Sequence, residues 1–201
     1  CVLDTKAILG EGPVWRAETQ DLVWVDIESA RVCCFNPATG ENQTWDVGEK
    51  PGLAAPTKRG DLLLGTSIGF VRLDLASGDL SPIIDPEQDL PNNRFNDGKC
   101  DPAGRLWAGT MPQSENSATG ALYCLHPDGR VEKKGGGYSI PNGIVWSADA
   151  KTMWHIDSPT RRIDAWDFDN ATGTITNRRT AIKITDEGAF PDGMAIDAEG
   201  K

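Results

Sequence analysis

Five steps in this chain place a residue directly before a glycine at a recurring interval: Glu11-Gly12, Pro51-Gly52, Asp97-Gly98, Asn142-Gly143 and Asp192-Gly193, with the glycines 40, 46, 45 and 50 residues apart. Four of the five preceding residues carry side-chain oxygens, and none is His or Cys. A fold that brought equivalent positions together would gather carboxylate and carboxamide oxygens, which suit Ca²⁺ or a similar hard divalent ion better than a structural zinc. Asp-Gly and Asn-Gly are also common tight-turn dipeptides, because both residues tolerate positive φ. Turn chemistry alone accounts neither for Glu11 at the first step nor for Pro141 and Pro191 directly before two of the donors. The register across steps therefore favours the metal-binding reading for the set.

Other chemistry-bearing residues point elsewhere less firmly. Gly65-Thr66-Ser67-Ile68-Gly69 matches the nucleophile-elbow pattern G-x-S-x-G, but that motif needs a strand-to-helix turn, and here it sits among strand-like segments. His126 and His155 are the only histidines; two isolated imidazoles read as structural or solvent-facing rather than as a catalytic pair. Five of the seven tryptophans (Trp15, Trp24, Trp107, Trp146, Trp154) fall at repeated strand positions, which packing explains more simply than a sugar platform.

The elements that would position the donors are legible from periodicity. Short Val-, Ile-, Leu- and Trp-rich segments recur between Gly, Pro, Asn and Asp clusters, and no window carries a 3.6-residue apolar stripe, so the chain reads as all-β. Each unit runs from a donor-Gly step through a short strand to a second strand: Leu22-Val23-Trp24-Val25, Leu62-Leu63-Leu64, Leu106-Trp107-Ala108 and Met153-Trp154-His155. Later strands end on hairpin turns at FNPATG (35–40), LDLASG (73–78), LHPDG (125–129) and FDNATG (168–173). Repeats of about 40–50 residues built from four short strands are the signature of β-propeller blades. The count predicts a single incomplete propeller domain over 1–201: four blades and the first strand of a fifth, with no internal linker.

Composition narrows the partners. Lys plus Arg 20 against Asp plus Glu 30 gives a net charge of −10, so nucleic acid and anionic membrane surfaces would be repelled. Uninterrupted apolar stretches of about four residues fall far short of the ~20 a membrane helix requires. Small neutral or weakly charged ligands remain, with no obligate protein partner evident. The five cysteines (Cys1, Cys33, Cys34, Cys100, Cys124) lack metal-type spacing and read as free, mostly buried thiols of a reducing, cytoplasmic compartment.

LGEGPVW (9–15), NNRFNDGKCDPAGRLWAGTM (92–111), PNGIVWS (141–147) with HIDS (155–158), NRR (177–179) and PDGMAIDAEGK (191–201) together resemble the regucalcin/gluconolactonase family, also called senescence marker protein. The resemblance runs the length of the chain. It implies a six-bladed propeller, of which this chain lacks about the last third, with one axial divalent metal and hydrolysis of sugar lactones such as gluconolactone. Ca²⁺ is the first expectation for the ion, with Zn²⁺, Mg²⁺ or Mn²⁺ as alternatives. Carried over residue by residue, the resemblance implies Glu11, Asn142 and Asp192 as metal ligands, with Asp192 also accepting and returning the proton. It implies Arg94 and Asn96 as substrate contacts and Asp97 as a pocket-lining neighbour. The family's acidic residue shortly after GTM has no aligned equivalent in Met111-Pro112-Gln113-Ser114-Glu115, so Glu115 is a shifted substrate contact. A metal-dependent arylesterase or organophosphate hydrolase, or a calcium-binding regulatory propeller without turnover, uses the same parts; a strictosidine-synthase-like propeller would not require this oxygen set.

Overall fold

The computed structural model describes residues 1–114, 117–197 and 199–200. Among the described residues, sixteen strands follow one another in chain order as four antiparallel meanders. The first sheet holds β1 (Gly10–Arg16), β2 (Asp21–Asp26), β3 (Arg31–Asn36) and β4 (Glu41–Asp46). The second holds β5 (Leu53–Pro56), β6 (Leu62–Thr66), β7 (Gly69–Leu73) and β8 (Leu80–Ile84). The third holds β9 (Asn93–Cys100), β10 (Leu106–Pro112), β11 (Gly120–Leu125) and β12 (Val131–Tyr138). The fourth holds β13 (Pro141–Trp146), β14 (Thr152–Asp157), β15 (Arg162–Asp169) and β16 (Thr174–Lys183), with a 3-10 turn at Ser158–Thr160 between β14 and β15. Four-stranded meanders of this kind are the blade unit of a β-propeller, as the repeat length predicts. The described residues group into two compact units, Cys1–Phe95 and Asn96–Lys201.

Matching turn chemistry closes three of the third-to-fourth-strand hairpins. Asn36, Asp74 and Asp169 each accept the backbone N–H two residues on at 2.8–2.9 Å. In the same turns Gly40, Gly78 and Gly173 adopt φ of 75°, 77° and 70° and return an N–H to the first residue's carbonyl at 2.8 Å. A side chain at such φ would be strained, which is why these motifs all end in glycine.

In the first unit the two sheets bury Val23, Val25, Ile27, Val32, Leu62, Leu64, Val71 and Leu73 in one cluster. In the second, Trp107, Trp146 and Phe168 meet with ring centroids 5.9–6.1 Å apart, joined by Leu122, Met153 and Tyr138. Trp107 also donates its indole N–H to Asp101 at 2.9 Å, and Arg105 pairs with the same carboxylate at 2.6 Å; buried polar groups of this kind persist because their partners replace water. Core packing therefore explains Trp107 and Trp146. It does not explain Trp15, which is 47% exposed although it holds the position equivalent to Trp146, whose ring is enclosed by Trp107 and Phe168.

G-x-S-x-G turns out to be the β6–β7 hairpin. Thr66 Oγ1 donates to Gly69 O at 2.9 Å and Ser67 Oγ donates to Glu49 Oε2 at 2.6 Å, so the Ser67 hydroxyl sits in a strand-to-strand turn bonded to a carboxylate, not at a strand-to-helix turn. His155 is buried against Tyr138, and His126 lies beside Arg130 and Glu132. All five cysteines are free; Cys33, Cys34 and Cys124 are buried and Cys1 and Cys100 exposed. No helix among the described residues is long and apolar enough to cross a membrane.

Candidate functional site

Two of the donor-Gly steps, Glu11-Gly12 and Asn142-Gly143, lie at the head of the first strand of their sheets, and the sheet itself dictates how they are held. In β13, Asn142 opposes Ile156 while Ile144 opposes His155, so Gly143 is the extra residue of a bulge. β1 repeats this: Glu11 opposes Val25, and the register shifts before Val14, across Gly12 at φ 57°. Behind each donor, the last residue of the second strand clasps the chain entering the first. Asp26 accepts the N–H groups of Ile8 and Leu9 at 3.1 and 2.9 Å, and Asp157 accepts those of Ser139 and Ile140 at 3.1 and 2.8 Å. Burial works against the Asp26 carboxylate, yet bonds from Ser29, Leu9 and Ile8 hold its pKa below the ordinary value. This clasp was not expected from the sequence, although Asp26 and Asp157 follow Glu11 and Asn142 at the same spacing of 15.

In the second unit several expected site residues meet. Asn96 Nδ2 donates to Pro141 O at 2.9 Å and to Asn142 Oδ1 at 3.2 Å. Asn142 Nδ2 donates to Ser158 Oγ at 2.7 Å, and Ser158 Oγ donates to Pro191 O at 2.6 Å. Gly143 N–H donates to Asp192 O at 3.1 Å, and Lys99 Nζ donates to Met194 O at 2.9 Å. The segment carrying Asp192 has no assigned strand among its described residues, so these bonds to Pro191, Asp192 and Met194 are what place it beside β13. Gly143 permits the approach: a Cβ there would lie 2.5 Å from Met194 Cβ and 2.8 Å from Asp192 O.

Asp97 is partly buried and Asp192 exposed. Burial raises the Asp97 pKa; the Gly98 N–H at 2.7 Å and the Lys99 ammonium oppose the rise, and the charge of Asp192 adds to it. A cation is the species that would relieve the charge of Asp192 on Asp97, and the Lys99 ammonium, which also lowers the Asp97 pKa, is bonded to the Met194 carbonyl.

Glu11 and Arg94 belong to the first unit. Glu11 is half-buried on β1, and Arg94 is buried, donating from its guanidinium to Phe95 O at 2.9 Å. Phe95 anchors that end of β9 against Phe70, ring centroids 4.3 Å apart. Glu115 lies outside the described residues. Among the described residues no three His, Cys, Asp or Glu side chains form a metal-binding group; the second unit offers a mixed set of Asn142, Asp192, Asp97 and Asn96. All of these donors are oxygens, which fits a hard divalent ion and not a thiolate or imidazole site. Ser158 and Lys99 are the residues the sequence reasoning missed. Ser158 stands in the HIDS stretch, but its hydroxyl has no pattern in the repeat.

Comparison with known proteins follows the same lines. The family profile described as SMP-30/Gluconolactonase/LRE-like region matches residues 9–201. A regucalcin of Xenopus laevis is 40% identical over 206 residues, covering 100% of this chain and 69% of that protein. A solved calcium-binding protein, regucalcin from Agrobacterium tumefaciens, is 30% identical with a TM-score of 0.94, over 99% of this chain and 68% of its own. A solved luciferin-regenerating enzyme is 33% identical with a TM-score of 0.91, over 96% of this chain and 67% of its own.

Proposed function

Because the chain belongs to the SMP-30/gluconolactonase/LRE-like family, we propose that it is a metal-dependent hydrolase of sugar lactones such as gluconolactone, in which Asn142 and Asp192 hold one divalent cation, Ca²⁺ first among the candidates. The observation that carries this reading is the meeting of Asn96, Asn142 and the Asp192 segment at the head of β13. A bound divalent cation supplies carbonyl polarisation and a more acidic water. The chain's own residues do the rest. Asp192 accepts the proton as water adds to the lactone carbonyl carbon, and returns it to the ring oxygen as the C–O bond breaks, leaving the free sugar acid. Asn96, bordering the Asn142 oxygen, holds a substrate oxygen. The Asp97 carboxylate adds negative charge that favours the cation. Arg94 and Glu115 as substrate contacts, and Glu11 as a further ligand, rest on the family resemblance. Five free thiols, three of them buried, support a reducing compartment.

The test is Asp192→Ala. Calorimetric Ca²⁺ titration and acid release from gluconolactone should both be abolished; lactonase activity retained by metal-loaded Asp192→Ala protein refutes the assignment. The Agrobacterium relative's description as calcium-binding favours one second reading, a calcium-binding propeller without turnover. Saturable Ca²⁺ binding with no hydrolysis across a lactone panel would select it, and preferential cleavage of aryl esters or phosphotriesters would select an esterase on the same fold.

A further inference from the structure

We propose that Ser158 is a positioning residue that determines which end of the Asn142 carboxamide faces the cation site; the proposal rests on the metal-binding reading of Asn142. Its basis is proton counting. The Pro191 carbonyl can only accept, so the single Ser158 hydroxyl proton lies in the 2.6 Å bond to Pro191 O. What Ser158 Oγ presents to Asn142, 2.7 Å away, is then a lone pair, and only the amide nitrogen can meet it. The carboxamide is planar, so Oδ1 is turned the other way, where Asn96 Nδ2 lies at 3.2 Å. Flipping the amide would set two oxygens against each other at Ser158 and two NH₂ groups against each other at Asn96. One hydroxyl thus ties the backbone before Asp192 to the orientation of Asn142, linking two expected ligands.

The sheet does not require that hydroxyl. The fourth sheet repeats the first with an offset of 131 residues: Asp157 clasps Ser139 and Ile140 as Asp26 clasps Ile8 and Leu9. Ser158 N–H donates to Ile140 O at 3.0 Å as Ile27 N–H donates to Leu9 O at 3.0 Å. The residue equivalent to Ser158 is therefore Ile27, buried in the apolar core at 1% exposure. An aliphatic side chain serves the architecture at this position. The serine appears where the neighbouring donor is a carboxamide, whose two ends differ, rather than the carboxylate of Glu11, whose two oxygens are alike.

The experiment is a calorimetric titration with CaCl₂ or MnCl₂ alone on the parent protein, Ser158→Ala, Ser158→Cys and Ser158→Thr, with thermal melts of each metal-free protein. Losing a hydrogen bond that orients a ligand weakens metal binding by about 10–100-fold; Ser158→Ala and the near-isosteric Ser158→Cys should both fall in that range. Ser158→Thr, which keeps the hydroxyl, should return to within about threefold of the parent on the same scale. The Asn142 side-chain NH₂ signals in a ¹⁵N-correlated spectrum of the metal-free protein should move in Ala and Cys but not in Thr. Parent binding with an equally tight Ser158→Ala variant overturns the role of Ser158 alone, as does a Thr variant as weak as Ala. A parent that binds neither cation overturns the metal reading of Asn142 and this proposal with it.

Discussion

Replacing Gly143 by alanine should separate the placement of Asp192 from the stability of the sheet. The added Cβ would sit 2.5 Å from Met194 Cβ and 2.8 Å from both Asp192 O and Met194 N, where carbon contacts prefer about 3.5–4.0 Å. The Asp192 segment must therefore retreat by about 1 Å or the bulge must open. Retreat is resisted by three bonds: Gly143 N–H to Asp192 O, Ser158 Oγ to Pro191 O and Lys99 Nζ to Met194 O. At a net ~1 kcal/mol each, weakening them costs about 2–3 kcal/mol, in line with overpacking elsewhere. The Asp192 segment lacks strand pairing among its described residues, so it yields before β13 does. Gly143→Ala should lower the melting temperature by about 4–12 °C, at about 2–4 °C per kcal/mol for a chain this size. It should lower lactone turnover about 100-fold, the usual consequence of displacing a reacting group by about 1 Å. Gly188→Ala is the control, because its Cβ meets only Asp186 Oδ1 at an ordinary 3.7 Å. Turnover in Gly143→Ala equal to that of the control would refute the contact between segment and bulge.

Three further outcomes follow from the same geometry. Burial, reinforced by Arg178 and opposed by Asp164, lowers the His155 pKa to about 4 from 6.5. Its contribution is fully present above pH 6.5 and is lost as pH falls toward 4, by about 3 kcal/mol at 1.36 kcal/mol per unit; urea melts should show that slope in the parent and lose it in His155→Leu. Asp157→Ala strands two backbone N–H groups in a half-buried clasp and should cost about 2–4 kcal/mol, while Asp157→Asn, which keeps an acceptor, should cost less in the same melts. Trp107→Ala removes a fully buried ring at the centre of the aromatic cluster and should cost about 3–5 kcal/mol, read as a lowered denaturation midpoint.

Much of the architecture was legible because it is local and repeated. Three hairpin motifs ending in Ala-Thr-Gly or Ala-Ser-Gly produce matching turns, since an Asx acceptor and a positive-φ glycine are short-range requirements. The donor-Gly spacing likewise picked out Glu11-Gly12 and Asn142-Gly143, which the structure holds at bulges. What the repeat could not reveal is which glycine is sterically necessary: Gly143 is crowded by Met194, while nothing lies within 4 Å of a Cβ at Gly193. Nor could it reveal Ser158, because its role depends on a carbonyl 33 residues away that no periodicity encodes. Trp15 and Trp146 occupy equivalent positions, and only the structure shows that Trp146 is enclosed by Trp107 and Phe168 while Trp15 stands 47% exposed.

By the proposed function, Asn142 and Asp192 bind one divalent ion. A crystal structure grown with CaCl₂ tests it most directly. The expected result is a single ion with Asn142 Oδ1 and an Asp192 carboxylate oxygen both within about 2.3–2.6 Å, and with Asn142 Nδ2 still on Ser158. An ion held elsewhere, or an Asn142 carboxamide turned with its nitrogen toward the ion, would contradict it.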